Sequence, residues 1–150
     1  MKKVTSIFVI LSAIAAFSAQ QAQASDTKHM MPIAAAMADN NAEARLGDSV
    51  KFYFGNQATP TVLKKLSSDT TSHKTNAFGK SKEKVCNWVF LSDMLALQKR
   101  AQELGANAVI NIVSNYDNIE NSSATEFECH VGGLMGGVAF KADFVKIADK

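Results

Sequence analysis

The chain of 150 residues carries 16 Lys and Arg against 14 Asp and Glu, and 47% of it is hydrophobic. Lys2 and Lys3 open a leading segment that holds no acidic residue, so the remainder balances at fourteen charges of each sign. A neutral remainder excludes bulk attraction to nucleic acid, which needs a clustered basic surface, and its length of about 126 residues suits one core and one domain.

The leading segment has the build of a cleaved export signal. After Lys2 and Lys3 comes an almost wholly apolar run from Val4 to Phe17, then Ala22-Gln23-Ala24, with small residues at the two positions a signal peptidase reads. Residues 1–24 are therefore expected to be a signal peptide cut after Ala24, leaving a mature chain from Ser25 in the periplasm, where thiols pair and nucleotide pools are absent. A retained anchor is the alternative. The apolar run of about fourteen residues falls short of the ~20 a spanning helix needs, and no Cys follows it to take a lipid. No stable membrane anchor is expected.

Residues 25–31 read as a polar, flexible lead-in, and 32–150 as a single α+β domain. From Pro32 to Leu46 the Ala-rich chain suits one or two short helices, opened by a Pro fit for a first turn and interrupted by Asp39-Asn40-Asn41. Gly47-Asp48 breaks the pattern, and Val50 to Phe54 reads as a strand with Val50, Phe52 and Phe54 on one face, stopped by Gly55-Asn56. Between Thr59 and Thr75 a Ser, Thr and Lys composition leaves a ragged strand pair or a helix turn and loop equally open.

The longest regular element spans 82–104. Ser81 is its N-cap, Gly105 its stop, and no Gly or Pro lies between. Its first half is apolar on nearly every side, Trp88 included, and its last turns are polar, which predicts early burial and late exposure. Asn107 to Val113 reads as a central strand of β-branched residues. In Thr125 to Val131 strict alternation puts Phe127, Cys129 and Val131 inside and Glu126, Glu128 and His130 outside. After a Gly-rich turn, Val138 to Ile147 alternates again and reads as its hairpin partner. The expected architecture is an antiparallel sheet of about four strands packed by one long helix, with short N-terminal helices.

The two cysteines can be placed in that architecture. Helix rise of ~1.5 Å and strand rise of ~3.3 Å per residue bring a strand running back from Asn107 level with Cys86 near Asn115. An antiparallel neighbour would then hold Cys129 close to the start of the helix. A Cys86–Cys129 disulfide is expected, worth ~4 kcal/mol on loop-closure grounds. Two buried free thiols are the plain alternative, and a metal site of Cys86, Cys129 and His130 the sharp one. Neighbours on a strand point to opposite faces, however, and zinc ordinarily takes four convergent ligands.

Other fragments carry less. Phe78-Gly79-Lys80-Ser81 contains the Gly-Lys-Ser that ends a phosphate-binding loop, but Lys74 stands where that loop's first Gly belongs, so Ser81 reads as a helix cap and no nucleotide is expected. His29, His73 and His130 are widely spaced, with no catalytic or metal-binding pattern around them. His29, Met30 and Met31 give only a soft-metal hint. No catalytic residue, cofactor or metal site is assigned. Charge is uneven along the chain: residues 64–84 hold six lysines against Asp69 and Glu83, while residues 117–128 hold Asp117, Glu120, Glu126 and Glu128 with no base. These are solvated faces or a docking surface for a partner.

The stretches Asn76-Ala77-Phe78-Gly79-Lys80-Ser81, Phe90-Leu91-Ser92, Gly105-Ala106-Asn107-Ala108-Val109, Ser114-Asn115-Tyr116 and Glu126-Phe127-Glu128-Cys129, with Cys86 and Trp88, resemble a family of small exported bacterial proteins of unknown function. Its members are often mislabelled "excinuclease ATPase subunit", an activity this chain lacks the nucleotide motifs and zinc modules to perform. The segment from Leu104 to Val109, with the helix before it and the strands after it, is similar in fold to the YbjQ family, named for heavy-metal binding, and to the signalling domain of the Rcs envelope-stress lipoprotein. That sensor domain links its helix region to the strand after it by a disulfide, which implies the same pairing for Cys86 and Cys129. The lipid-anchor Cys and the sensor's further cysteines are absent. The functional expectation is a non-enzymatic periplasmic module that contacts an envelope protein; a small-ligand or metal-binding protein is the alternative.

Overall fold

The computed structural model describes residues 25–148, and Ala22 and Ala24 of the expected cleavage site lie outside them. In chain order the elements are β1 (Thr27–Pro32), α1 (Ile33–Ala38), α2 (Ala42–Leu46), β2 (Lys51–Phe54), β3 (Val62–Asn76), α3 (Lys82–Leu104), β4 (Ala108–Ser114), β5 (Glu126–Val131) and β6 (Met135–Ile147), with a 3-10 turn at Tyr116–Asn118. The α+β class, the short N-terminal helices and both ends of the long helix follow the sequence expectation. Ser81 accepts a hydrogen bond from the Lys84 N–H, satisfying one of the free donors of the first turn. Gly105 closes α3 in the left-handed conformation at φ 71°, where its N–H reaches the carbonyls of Ala101 and Gln102.

The sheet corrects the expectation twice. It has six strands rather than about four, and β2 runs parallel to β4 while every other pair is antiparallel. The crossover through α3 is long enough to return the chain in the same direction, which a tight hairpin cannot do. The strand order is β1-β5-β6-β4-β2, with β3 also on β6. β6 is the common partner: Val138 pairs with both His73 and Cys129, and Phe140 with both Thr71 and Ser114, so β3 occupies one edge while β5 and β4 share the other.

Two of these strands, β1 and β3, carry no strand pattern in their sequence. Residues 25–31, expected as a flexible lead-in, contain most of β1, which pairs with β5 along its whole length from Thr27 opposite Val131 to Pro32 opposite Glu126. The open stretch between Thr59 and Thr75 becomes the single strand β3, 15 residues long and largely exposed. In β4 the register slips between Ile110 and Val113, with Asn111 at φ 51°, a conformation Asn tolerates better than most residues. The bulge returns Ile112 to the core and lets the Asn111 amide donate to Asp143 at 2.9 Å.

The core lies between α3 and one face of the sheet. Cys86, Phe90, Met94, Leu97 and Ala101 recur at three- and four-residue steps and meet Val109, Ile112, Phe127, Val138, Phe140 and Phe144. Phe90 is the hub: its ring lies 4.6 Å from Phe127, 5.9 Å from Phe140 and 6.0 Å from Phe54. Such aromatic pairs add about 0.5–1.5 kcal/mol each beyond their area. A second cluster of Ala108, Ile110, Val145 and Ile147 under Tyr53 occupies the opposite face, which explains why β4 reads as apolar throughout. Trp88 departs from the expected early burial of α3. It is 48% exposed, with the Arg45 guanidinium 6.0 Å from its ring.

Cys86 and Cys129 are joined in a disulfide, with Cα atoms 5.9 Å apart and both residues fully buried. The crosslink closes 43 residues and ties α3 to β5. Replacing both cysteines by Ala is expected to lower the unfolding free energy by about 2–4 kcal/mol, read as a lower urea midpoint; an unshifted midpoint would contradict a constraining role. At the residue before Cys86, a Cβ on Gly136 would collide with Val85 Cγ1, and Val85 is itself buried. Gly136→Ala should therefore cost about 1–3 kcal/mol, and less in a Val85→Ala background. An equal cost in both backgrounds, measured by the same unfolding curves, would rule that contact out.

Candidate functional site

Glu128 and His130, expected on a solvated face, instead form a half-buried polar network. The chain after β4 folds back over that face: Ser114 pairs with Asn121, and the Ser114 hydroxyl accepts the Glu128 N–H at 2.8 Å. His130 lies between two carboxylates, its Nδ1 3.2 Å from Asp26 and its Nε2 2.6 Å from Glu128. Both ring nitrogens are thus engaged by carboxylate oxygens. Tyr116 stacks on the imidazole with ring centroids 3.6 Å apart and planes within 3°, and its hydroxyl donates to Asp26 at 2.9 Å. Lys28 closes the network at 2.7 Å from Glu128, and Asn121 donates to the same carboxylate at 3.2 Å.

The electrostatics follow from these contacts. Burial alone would raise the pKa of Glu128, but hydrogen bonds from His130, Lys28 and Asn121 together hold it below the ordinary carboxylate value. Asp26 is also lowered, first by its bond with His130. The Tyr116 hydroxyl is pushed up to about 12, by burial and then by its bond to Asp26. A phenol so protected is a poor nucleophile, and no Ser, Thr or Cys among the described residues hydrogen-bonds to His130. The network binds β1 and the 3-10 turn to β5. Beside it lies a cavity of about 370 Å³ lined by Asp26, Lys74, Tyr116, His130 and the turn from Gly132 to Gly137.

A second cluster joins α3 to β3. Asp93 is fully buried, its Oδ1 accepting from Thr71 at 3.0 Å and lying 2.5 Å from His73 Nδ1, while its Oδ2 has no partner. Burial outweighs the opposing pull of His73 and raises the Asp93 pKa to about 6. A single carboxylate within the apolar half of α3 was the only sequence signal for it. Further along, Arg100 meets Asp69 at 3.3 Å.

The other residues singled out by sequence are dispersed. His29, Met30 and Met31 alternate along β1: Met31 enters the core, whereas the Met30 sulfur accepts from Asn121 on the other face. Cys129 is committed to the disulfide and His130 to the carboxylates. The Gly-Lys-Ser fragment is consumed locally, with Lys80 Nζ 2.8 Å from the Asn76 carbonyl and Ser81 capping α3. The acidic segment 117–128 is partly neutralised by Lys141 on Glu120 and by Lys28 on Glu128. The lysines of 64–84 are freer. Lys65 pairs with Asp143 and Lys82 approaches Glu83, but Lys64, Lys74, Lys80 and Lys84 have no carboxylate within 4.0 Å among the described residues.

Fold and site together describe a crosslinked helix-on-sheet domain whose polar clusters join elements to one another. The chain matches no family model, and no curated protein or solved structure shows significant similarity to it.

Asp93 gives the folded state a distinctive dependence on pH. Its folded pKa lies above its unfolded value of 3.8, so its contribution to stability is full below about pH 4 and is lost as pH rises through about 6. A rise of about two units corresponds to at most ~3 kcal/mol. The lowered carboxylates Asp26, Glu128 and Asp143 act in the opposite sense, losing stability only as pH falls below about 4. Urea unfolding between pH 4 and 7 should show stability falling in the wild type and nearly level in Asp93→Asn. Equal slopes in the two proteins would contradict this assignment.

Proposed function

We propose that the protein is an exported, non-enzymatic interaction module of the periplasm that docks an envelope protein along β3. The observation that carries this reading is the strand itself. β3 is hydrogen-bonded along one edge, to β6, and no strand of the described residues pairs with the other. A free edge of that length presents a row of backbone donors and acceptors to any extended segment that can line up with it. Lys64, Lys65 and Lys74 guard the edge against indiscriminate pairing and favour an acidic partner. The disulfide agrees with an oxidising compartment, and no helix among the described residues is long and apolar enough to cross a membrane. The export signal in residues 1–24 and the resemblance to small exported proteins and to the Rcs sensor domain support the same reading.

Small-ligand binding is the second reading, favoured by the cavity of about 370 Å³ between His130 and the Gly-rich turn. Photoreactive residues at Lys64 and Thr70, exposed on β3, and at Glu43, exposed on α2, separate the two readings in cells. The β3 positions should yield a discrete adduct with one envelope protein and Glu43 none. Adducts that are absent, or the same from all three positions, would sink the docking role.

A further inference from the structure

We infer that one end of the molecule, built from the loop Ala77–Ser81, the first turns of α3 and the β5–β6 turn, docks reversibly on an anionic phospholipid surface. This end adjoins the β3 edge at Lys74 and Asn76, but the inference does not rest on the docking proposed there. Four large apolar side chains stand out at this end: Phe78 is 72% exposed, Leu134 68%, and Trp88 and Met135 48% each. Soluble proteins rarely gather such groups on one surface without a use for them. The two turns lie side by side, because the Ala77 N–H donates to the Leu134 carbonyl at 2.8 Å and Asn76 pairs with Met135. Both project into open space. A Cβ on Gly79 or Gly133 would meet nothing within 4 Å.

Charge surrounds these apolar groups. Lys74, Lys80, Lys82 and Lys84 belong to the same end, against Glu83, which lies 3.9 Å from Lys82, Asp39, which accepts from the Asn87 amide, and Asp26, which is held by His130 and Tyr116. Between Trp88 and the two lysines at 80 and 84, with Thr75 and Asn40, lies a depression of about 130 Å³, a cationic niche suited to a headgroup phosphate. Projecting apolar tips with lysines behind them are the arrangement that enters the boundary between headgroups and acyl chains, while the long lysine stems keep their charge in the headgroup layer. Trp favours that boundary as well, its ring being apolar and its N–H polar. An acidic protein partner would satisfy the lysines but leave Phe78 and Leu134 on separate turn tips without a groove to fill. The lipid surface accounts for both.

Trp88 is the one Trp of the chain, so its emission reports the event directly. Protein purified from cells expressing the full chain is mixed with vesicles of equal parts phosphatidylglycerol and phosphatidylcholine, or of phosphatidylcholine alone. The anionic vesicles should shift the emission to the blue and carry the protein in flotation, high salt should release it, and brominated acyl chains should quench Trp88. Lys80→Glu with Lys84→Glu, and separately Phe78→Ser with Leu134→Ser, should each weaken partitioning by about tenfold or more while the disulfide and far-UV spectrum stay unchanged. Absence of quenching in the unaltered protein overturns the inference without reference to any variant. So does binding that survives loss of Phe78 and Leu134, which would mark simple charge adsorption or a retained leader. Retention of polyglutamate that Lys80→Glu with Lys84→Glu abolishes, with no partitioning onto the anionic vesicles, would assign this end to an acidic polypeptide and overturn it too.

Discussion

The hydrogen bonds of β6 run along both of its edges, and the rest of the molecule is arranged around that fact. A strand joined to β3 on one side and to β5 and β4 in succession on the other must be apolar where α3 covers it, and Val138, Phe140, Ala142 and Phe144 meet that condition. Because β5 and β4 divide one edge between them, the sheet opens between those strands. The segment after β4 fills the opening, where Asn115 N–H reaches the Ala139 carbonyl and Asn121 pairs with Ser114. The crosslink from Cys86 to Cys129 then fixes the helix to the upper half of the divided edge, while Val109 and Ile112 meet it on the lower half.

The two buried polar clusters answer different needs of this architecture. At His130 the carboxylates are compensated several times over, by imidazole, ammonium and amide, so a charged group can lie below the surface at little cost. At Asp93 the compensation is incomplete, since one oxygen has no partner and burial dominates. The first cluster fastens the short strand β1, which has no apolar alternation to hold it. The second lies between α3 and the longest strand, where Thr71 and His73 are the only side chains of β3 to reach into the helix layer by hydrogen bond.

What the sequence disclosed and what it hid divide along physical lines. α3 was legible end to end because Ser81, Gly105 and the uninterrupted residues between them state its limits locally. The β5–β6 hairpin was legible because alternation in Phe127-Glu128-Cys129 and in Val138 to Phe144 survives in the structure; the Cys86–Cys129 pair is as expected, but β5 joins β6 and β1 and points the same way as β4, so the antiparallel pairing with β4 assumed in placing Cys129 does not occur. β3 was hidden because both of its faces are largely wet, so Ser, Thr and Lys occupy it without a period of two; the pairing edge of β6, far away in sequence, makes it a strand. β1 was hidden for a related reason, Thr27 to Pro32 containing one buried side chain, Met31. The direction of β2 relative to β4 is a property of the crossover and leaves no mark on either strand. Glu128 and His130 looked exposed since alternation predicts a face, and no local pattern announced that residues 114–121 would cover it. Trp88 misled in the opposite sense, as a large apolar side chain on a mostly buried helix that faces outward toward Arg45.

Gly136 has a role that reaches past its own neighbourhood. Slippage of a hairpin by one residue exchanges the inner and outer faces of a strand, which the core of β6 forbids. Slippage by two keeps the faces and would otherwise be the cheaper error. At this site a two-residue shift would set Leu134 or Val138 beneath Val85, where the structure has no room for even a Cβ. The missing side chain therefore acts as a gauge: it admits one alignment of β6 against the helix, and with it one alignment of the three strands that β6 holds.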